Sequence, residues 1–215
     1  MAELTAVKDT ETVEIRVDFI GNGMYLWHRA MLVSVADTNG VVKKIVGKLY
    51  SIHEEKLQSQ ELILRAERDS LTGVYNHSTF VSKVSRFLVE FDETLCALYM
   101  IDLDDFKLVN DALGHYAGDD LLCDTAVVLE SVANTYGGFC GRLGGDEFSM
   151  FIPDIVDEDT ACMVAKTLNK GIRAIKCKAE HSASIGIAVD TISKSLKFDS
   201  LYYKADQALY YSKRQ

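Results

Sequence analysis

The segment CGRLGGDEFSMFI, residues 140–152, constrains this chain more than any other stretch. Apolar, strand-forming residues flank two adjacent glycines and two adjacent carboxylates, a pattern that predicts a β-hairpin turning at Gly144-Gly145. A turn alone does not explain why Asp146 and Glu147 stand side by side at its tip, where their charges repel. They are either solvated acids after a tight turn or oxygen ligands for a hard cation such as Mg²⁺, which would offset that repulsion. The segment by itself leaves both readings open.

A second acidic stretch bears on the choice. In MIDLDDFKLVNDALGHYAGDD, residues 100–120, Asp102 and Asp104 end the hydrophobic strand TLCALYMIDL. The ends of such strands are where α/β sheets tend to present ligand groups. If that strand lies beside the hairpin, the carboxylates of Asp102 and Asp146 meet above the sheet edge. With a backbone carbonyl between them they form an oxygen cage for one or two Mg²⁺ ions. Lys107 follows within a helical turn, in reach of a triphosphate as a point charge. The amides between Leu103 and Lys107 open a helix, and a helix N-terminus favours phosphate.

Composition narrows the class. Of 215 residues 48% are hydrophobic, enough for a packed core. The net charge of −9, with no Lys/Arg cluster, argues against nucleic acid as a partner, so an anionic ligand needs a local arrangement of lysines, amides or metal. Five scattered cysteines (96, 123, 140, 162 and 177) show no metal-ligand spacing and suit a reducing cytoplasm. The longest apolar run, LCALYMI, is too short to span a bilayer, and no signal peptide opens the sequence. A cytoplasmic location is expected, without membrane contact within this chain, although a longer gene product could be anchored through other segments.

The first fifty residues read as three strands, VEIRVDF, MYLWHRAMLVSVAD and VVKKIVGKLYSI, the last two joined through an Asn39-Gly40 hairpin signal. From Glu54 the pattern turns helical and free of Gly and Pro. Tyr50, Leu57 and Leu64 recur every seven residues, as in a short coiled-coil seam, though an ordinary amphipathic linker accounts for them equally well. After SLTGVYN, helices and strands interleave. Helices are expected over 79–91, DFKLVNDAL (closed by Gly114), DDLLCDTAVVLESVANT, DEDTACMVAKTLNKGIRAI and SLYYKADQALYYSK. HSASIGIAV reads as a strand. The fold class is α/β (α+β): a mixed or antiparallel central sheet flanked by helices.

Six blocks, DSLTGVYNH, DLDDFKLVND, GHYAGD, GGDEF, SIGIA and ADQALYYSK, stand in the order and spacing of one family. From about Asp69 to Lys213 the chain resembles the GGDEF-domain diguanylate cyclases. The resemblance implies a palm-like nucleotidyl cyclase fold and condensation of two GTP into cyclic di-GMP and two pyrophosphates, in a two-fold homodimer. It implies two Mg²⁺ ions per site, with Mn²⁺ as an alternative, held by Asp102, Asp146 and the Leu103 carbonyl. Glu147 would help hold metal or deprotonate the ribose 3′-hydroxyl. Lys107 and Lys213 would contact the triphosphate, and Phe106, Gly144 and Gly145 would also bind substrate, the glycines by letting the hairpin backbone approach it. Asn110 and Asp119 would bond the guanine, with His115 nearby. Simpler roles compete: Asp119 as an N-cap after Gly118, Asn110 on a helix surface, His115 packed under a loop, Lys213 favouring a helix dipole.

Departures are also expected to matter. His77 replaces an Arg usual after Asn76, and no GRN segment follows the last helix, so a basic phosphate contact would be missing. An R-x-x-D motif that binds cyclic di-GMP as inhibitor in many members would fall at Thr135 and Gly138, which supply neither group. The N-terminal strands resemble the C-terminal half of a PAS domain. The expected organisation is a partial PAS-like sensor piece at 1–53, a signalling linker helix at 54–69 and the cyclase domain at 70–215, the output end of a bacterial signalling protein. Two other functions compete with catalysis. One is a GGDEF module that only binds GTP or cyclic di-GMP; the intact acids speak against it. The other is a cyclase for an adenine-containing product. Asp119 opposes that, since a carboxylate accepts from guanine's N1–H and 2-amino group, while adenine has only a lone pair at N1 and no amino group at C2.

Overall fold

The protein, a computed structural model, is described over residues 6–91 and 93–214, with side chains from residue 11 onward. The predicted limits of the sensor piece at 1–5 and of the cyclase domain at 215 lie outside the described residues. The chain divides into two compact units, one ending at Leu64 and one beginning at Arg65.

In the first unit, β1 (Ala6–Val17), β2 (Leu26–Ala36) and β3 (Val42–Ser51) form an antiparallel meander, followed by α1 (His53–Glu67), whose last three residues belong to the second unit. The register sets Val13, Ala30 and Leu49 in one apolar row across the sheet. On the other face Arg29 pairs with Glu14 at 2.8 Å, and Lys56 reaches the same carboxylate at 2.7 Å. The hairpin signalled by Asn39-Gly40 is present, and β2 joins β3 through an extended connection. That connection spans residues 37–41, because Asp37 accepts from the amides of Asn39 and Val41, both at 3.0 Å, and so organises a longer loop. Helix α1 buries none of its residues, so Leu57 and Leu64 remain exposed.

The second unit is built on a five-stranded mixed sheet ordered β4-β6-β7-β5-β8. These strands are β4 (Tyr75–Asn76), β5 (Leu95–Asp104), β6 (Phe139–Gly144), β7 (Glu147–Ile152) and β8 (Ser182–Thr191). Only β4 pairs in parallel, with β6. Strand β5 is an interior strand, between β7 and β8, and is buried on both faces, which is why it reads as a continuous apolar run. Its odd-numbered residues, Ala97 to Leu103, pack under α3 (Phe106–Leu113), α4 (His115–Thr135) and α5 (Glu158–Arg173). Its even-numbered residues, Cys96 to Met100, face α2 (His77–Glu90) and α6 (Phe198–Ser212). Asn76 caps α2 by accepting from the Thr79 amide.

Two close approaches set the layer spacing. A Cβ at Gly186 would lie 2.1 Å from the Ala205 carbonyl, so the missing side chain lets α6 press onto β8. A Cβ at Gly118 would lie 2.0 Å from Asn110 Oδ1. Gly118 therefore sits inside α4, which starts at His115, four residues earlier than the sequence suggests. The positive φ of Gly114 (85°) turns the chain directly from α3 into α4.

Candidate active site

The acidic residues of the two sequence stretches come together at one end of the sheet. Strand β5 lies beside β7, and the antiparallel register places Asp102 directly opposite Glu147. Like charges directly opposite on one sheet face destabilise a ladder, so packing does not account for this pair. The β6–β7 turn carries Asp146 next to them. It is a two-residue loop between Gly144 and Glu147, with Gly145 at φ 54° and Gly144 at φ 154°. A Cβ at either glycine would meet nothing within 4 Å, so they are present for their backbone angles and the turn's upper side stays open.

The electrostatics follow from this crowding. Burial is the largest cause raising the Asp102 carboxyl, and Asp146 and Asp104 push the same way against Lys213. Glu147 is likewise raised, first by burial and then by Asp102 and Asp146. Lys213, at the C-cap of α6, places Nζ 2.7 Å from Asp102 Oδ2. Burial would lower its ammonium, but Asp102, Asp146 and Glu147 outweigh that and raise it. Lys213 was expected on the triphosphate; here it is the counter-ion of the acidic cluster. Asp104, on the same face as Asp102, accepts from Ser182 and Ser184, its hydroxyl donors on β8. A cleft of about 430 Å³ lies over Asp102, Asp104, Asp105, Ser184, Ser212 and Lys213.

Beyond Asp104 the chain makes a tight turn. Asp105 adopts a left-handed conformation (φ 54°) and starts α3 without a side-chain cap. That geometry is tolerated by Asp more readily than by most residues, and it leaves the first turn of α3 open to an anion. Phe106 is half-buried against Gly118, and Lys107 is exposed at the second helical position. Asn110 Oδ1 is shielded from solvent and has no hydrogen-bond partner. A buried acceptor without a donor costs about 1–3 kcal/mol, so Asn110 is not a plain helix-surface residue. Asp119 is exposed within α4, well past Gly114, which is the N-cap residue; the N-cap role considered for it is excluded. His115 is exposed as the first residue of α4, not packed under a loop.

The donor set suits a hard divalent cation: carboxylates of Asp102, Asp146 and Glu147 and the Leu103 carbonyl are all oxygen. Among the described residues no three His, Cys, Asp or Glu side chains already close on one point. Mg²⁺ does not need that closure, because it keeps several waters and takes one or two carboxylates plus substrate phosphates.

One participant escaped the sequence reading. Arg142, two residues before the glycines, sends Nε and Nη2 to the Gly145 carbonyl at 2.9 and 2.6 Å, and Nη1 to Asp69 at 3.1 Å. Burial pushes Asp69 up, but bonds from Thr72 and Arg142 outweigh it and hold its carboxyl below the ordinary value. The only signal in the sequence was a cation near the motif, and nothing local names its partner 73 residues away.

Comparison with known proteins agrees with this geometry. The diguanylate cyclase GGDEF domain matches residues 66–215. Diguanylate cyclase DgcM of Escherichia coli (strain K12) is 32% identical over 172 residues, which cover 77% of this chain and 40% of that protein. The cyclic di-GMP phosphodiesterase PdeB of Shewanella oneidensis is 32% identical over 159 residues, 73% of this chain and 18% of that protein. This chain thus spans well under half the length of these two relatives. Among solved structures, the coiled coil and GGDEF domain of DgcB from Caulobacter crescentus, in complex with c-di-GMP, superposes with a TM-score of 0.65 at 29% identity. The match covers 76% of this chain and 88% of that one. Diguanylate cyclase SiaD from Pseudomonas aeruginosa, in complex with its activator SiaC, gives 0.63 at 28% identity over 75% of this chain and 64% of that one. Sequence, fold and comparison agree that this chain belongs to the GGDEF-domain diguanylate cyclase family.

Proposed function

We propose that this chain condenses two molecules of GTP into cyclic di-GMP, releasing two pyrophosphates, as the output part of a bacterial signalling protein whose sensor side includes the PAS-like first unit. The observation that carries the reading is the cross-strand pair Asp102–Glu147 with Asp146 at the adjoining turn. A fold keeps such a repulsive arrangement where function requires it.

Asp102, Asp146 and the Leu103 carbonyl would hold Mg²⁺, which when bound supplies charge neutralisation and activation of the attacking hydroxyl. The open first turn of α3, with Lys107 beside it, would seat the phosphates. Asn110 and Asp119 would read guanine, the shielded Asn110 oxygen taking the donor it lacks. Glu147, raised from its ordinary value, is a better base near neutrality than a free carboxylate. The 3′-oxygen of one GTP bonds to the α-phosphorus of the other while the bond to pyrophosphate breaks, and the second linkage forms in the same way. Each domain holds one GTP, so two copies must face each other across a two-fold axis.

A second reading, a module that binds GTP or cyclic di-GMP without turnover, draws support from the similarity to PdeB, named as a phosphodiesterase. Incubation with GTP and Mg²⁺ followed by mass spectrometry of the product separates the two. Asp102→Ala and Asp146→Ala should abolish product while leaving the protein folded. GTP binding without cyclic di-GMP would establish the second reading.

A further inference from the structure

We propose that Arg142 is a positioning residue that holds the signature turn in its metal-binding shape, and that its pairing with Asp69 ties this turn to the end of α1. The proposal rests on the cyclase reading of the site. A loop whose shape depends on two adjacent glycines has little intrinsic preference for one conformation, because neither residue restricts its own backbone. Something outside the loop must select it. Arg142 does so with two donors on one acceptor, Nε and Nη2 on the Gly145 carbonyl. That carbonyl belongs to the peptide joining Gly145 to Asp146, so holding it sets the direction in which Asp146 leaves the turn.

The third donor, Nη1, goes to Asp69. Asp69 is itself held by the Thr72 amide at 2.9 Å and the Thr72 hydroxyl at 2.6 Å. It lies two residues past Glu67, where α1 ends. The end of that helix is fastened locally: the Ala66 carbonyl accepts from Asn76 Nδ2 at 2.7 Å, and Arg68 donates to the Gly73 carbonyl at 3.0 Å. A displacement of the last turn of α1 therefore reaches the metal-binding turn through Asp69 and Arg142. A lysine could hold one of these acceptors but not both, since its single ammonium lacks the fork geometry.

The alternative is that Arg142–Asp69 is a half-buried ion pair serving stability alone. Such a role would lower the unfolding temperature but leave the folded protein's metal affinity and kcat untouched. The test uses the full chain with Arg142→Ala, Arg142→Lys and Asp69→Asn. Two quantities are read below the unfolding transition: Mn²⁺ affinity by electron paramagnetic resonance, and kcat with GTP. Removing a group that orients a ligand typically costs about 10–100-fold in metal affinity or activity. Both arginine variants should show losses of that order, with a smaller loss for Asp69→Asn. Adding Asp69→Asn to Arg142→Ala should cost nothing more. Arg142→Lys within about twofold of wild type in both quantities would overturn the proposal, even if Arg142→Ala fails to fold. If wild type makes no cyclic di-GMP, the proposed function fails, while the Mn²⁺ measurement still decides the role of Arg142.

Discussion

Glu147→Gln should make the metal-free protein more stable at neutral pH while abolishing turnover. Asp102 and Glu147 are directly opposed across β5 and β7, and like charges so placed cost roughly 0.2–1 kcal/mol. Glu147 is exposed, so solvent screening puts the gain in the middle of that range or below, about 0.5 kcal/mol. For a unit of this size that corresponds to roughly 1–2 °C in unfolding temperature. The substitution keeps the shape of the side chain and removes the charge. Asp102→Asn should not give the same gain, because it also removes the partner of Lys213 at 2.7 Å. The pH dependence has a definite sign. The folded-state pKa of Glu147 is raised, so its stabilising contribution is full below the ordinary carboxylate range. That contribution is lost as pH rises through the raised value. The advantage of Gln should therefore be present at neutral pH, vanish in acid, and shrink with added salt. Differential scanning fluorimetry with chelator, across pH and ionic strength, reads all three. A Glu147→Gln protein less stable than wild type at neutral pH and low salt would refute the argument that this pair is repulsive.

Asp119→Ser should weaken the preference for GTP over ATP at least about tenfold, corresponding to roughly 1–3 kcal/mol for an unmade polar contact; unchanged selectivity in a competition assay would remove Asp119 from base recognition. Initial rates with added cyclic di-GMP should barely fall until product competes at the active site. At the inhibitory positions Thr135 bonds its own helix through the Ser131 carbonyl, and a Cβ at Gly138 would lie 2.3 Å from the Phe151 carbonyl. Arg142 is already committed to Gly145 and Asp69, so potent non-competitive inhibition lost on mutating 135–142 would contradict this. Specific activity should rise with enzyme concentration, since two domains must meet; a flat profile over a wide dilution series would indicate a tight dimer instead.

What the sequence revealed and what it withheld divide along physical lines. The buried strand β5, the signature hairpin and the strand–helix alternation were legible because periodicity and paired glycines are local signals. The start of α4 was not. Gly118 looks like a helix breaker, and only the proximity of Asn110 explains a glycine inside the helix. The β2–β3 hairpin was legible from Asn39-Gly40, but the length of its loop was not, because Asp37 capturing two amides depends on backbone geometry. Of the candidate site residues, those on β5 and the β6–β7 turn were visible as acids at strand ends. The role of Arg142 and the pairing of Lys213 with Asp102 rest on long-range contacts that no local pattern encodes.

The close approach at Gly186 has a consequence for reach. Helix α6 touches β8 most tightly near Ala205 and Leu209. Lys213 extends from the same helix one turn past Leu209, about 6 Å along its axis. The thickness of this sheet–helix contact thus gauges how far the ammonium stands from Asp102. Any side chain at position 186 would act as a shim, tilting or lifting the helix and carrying Lys213 away from the acids. A residue that never meets a ligand thereby governs whether the acidic cluster has its counter-ion, and evolution could retune the site from the neighbouring strand without altering a single carboxylate.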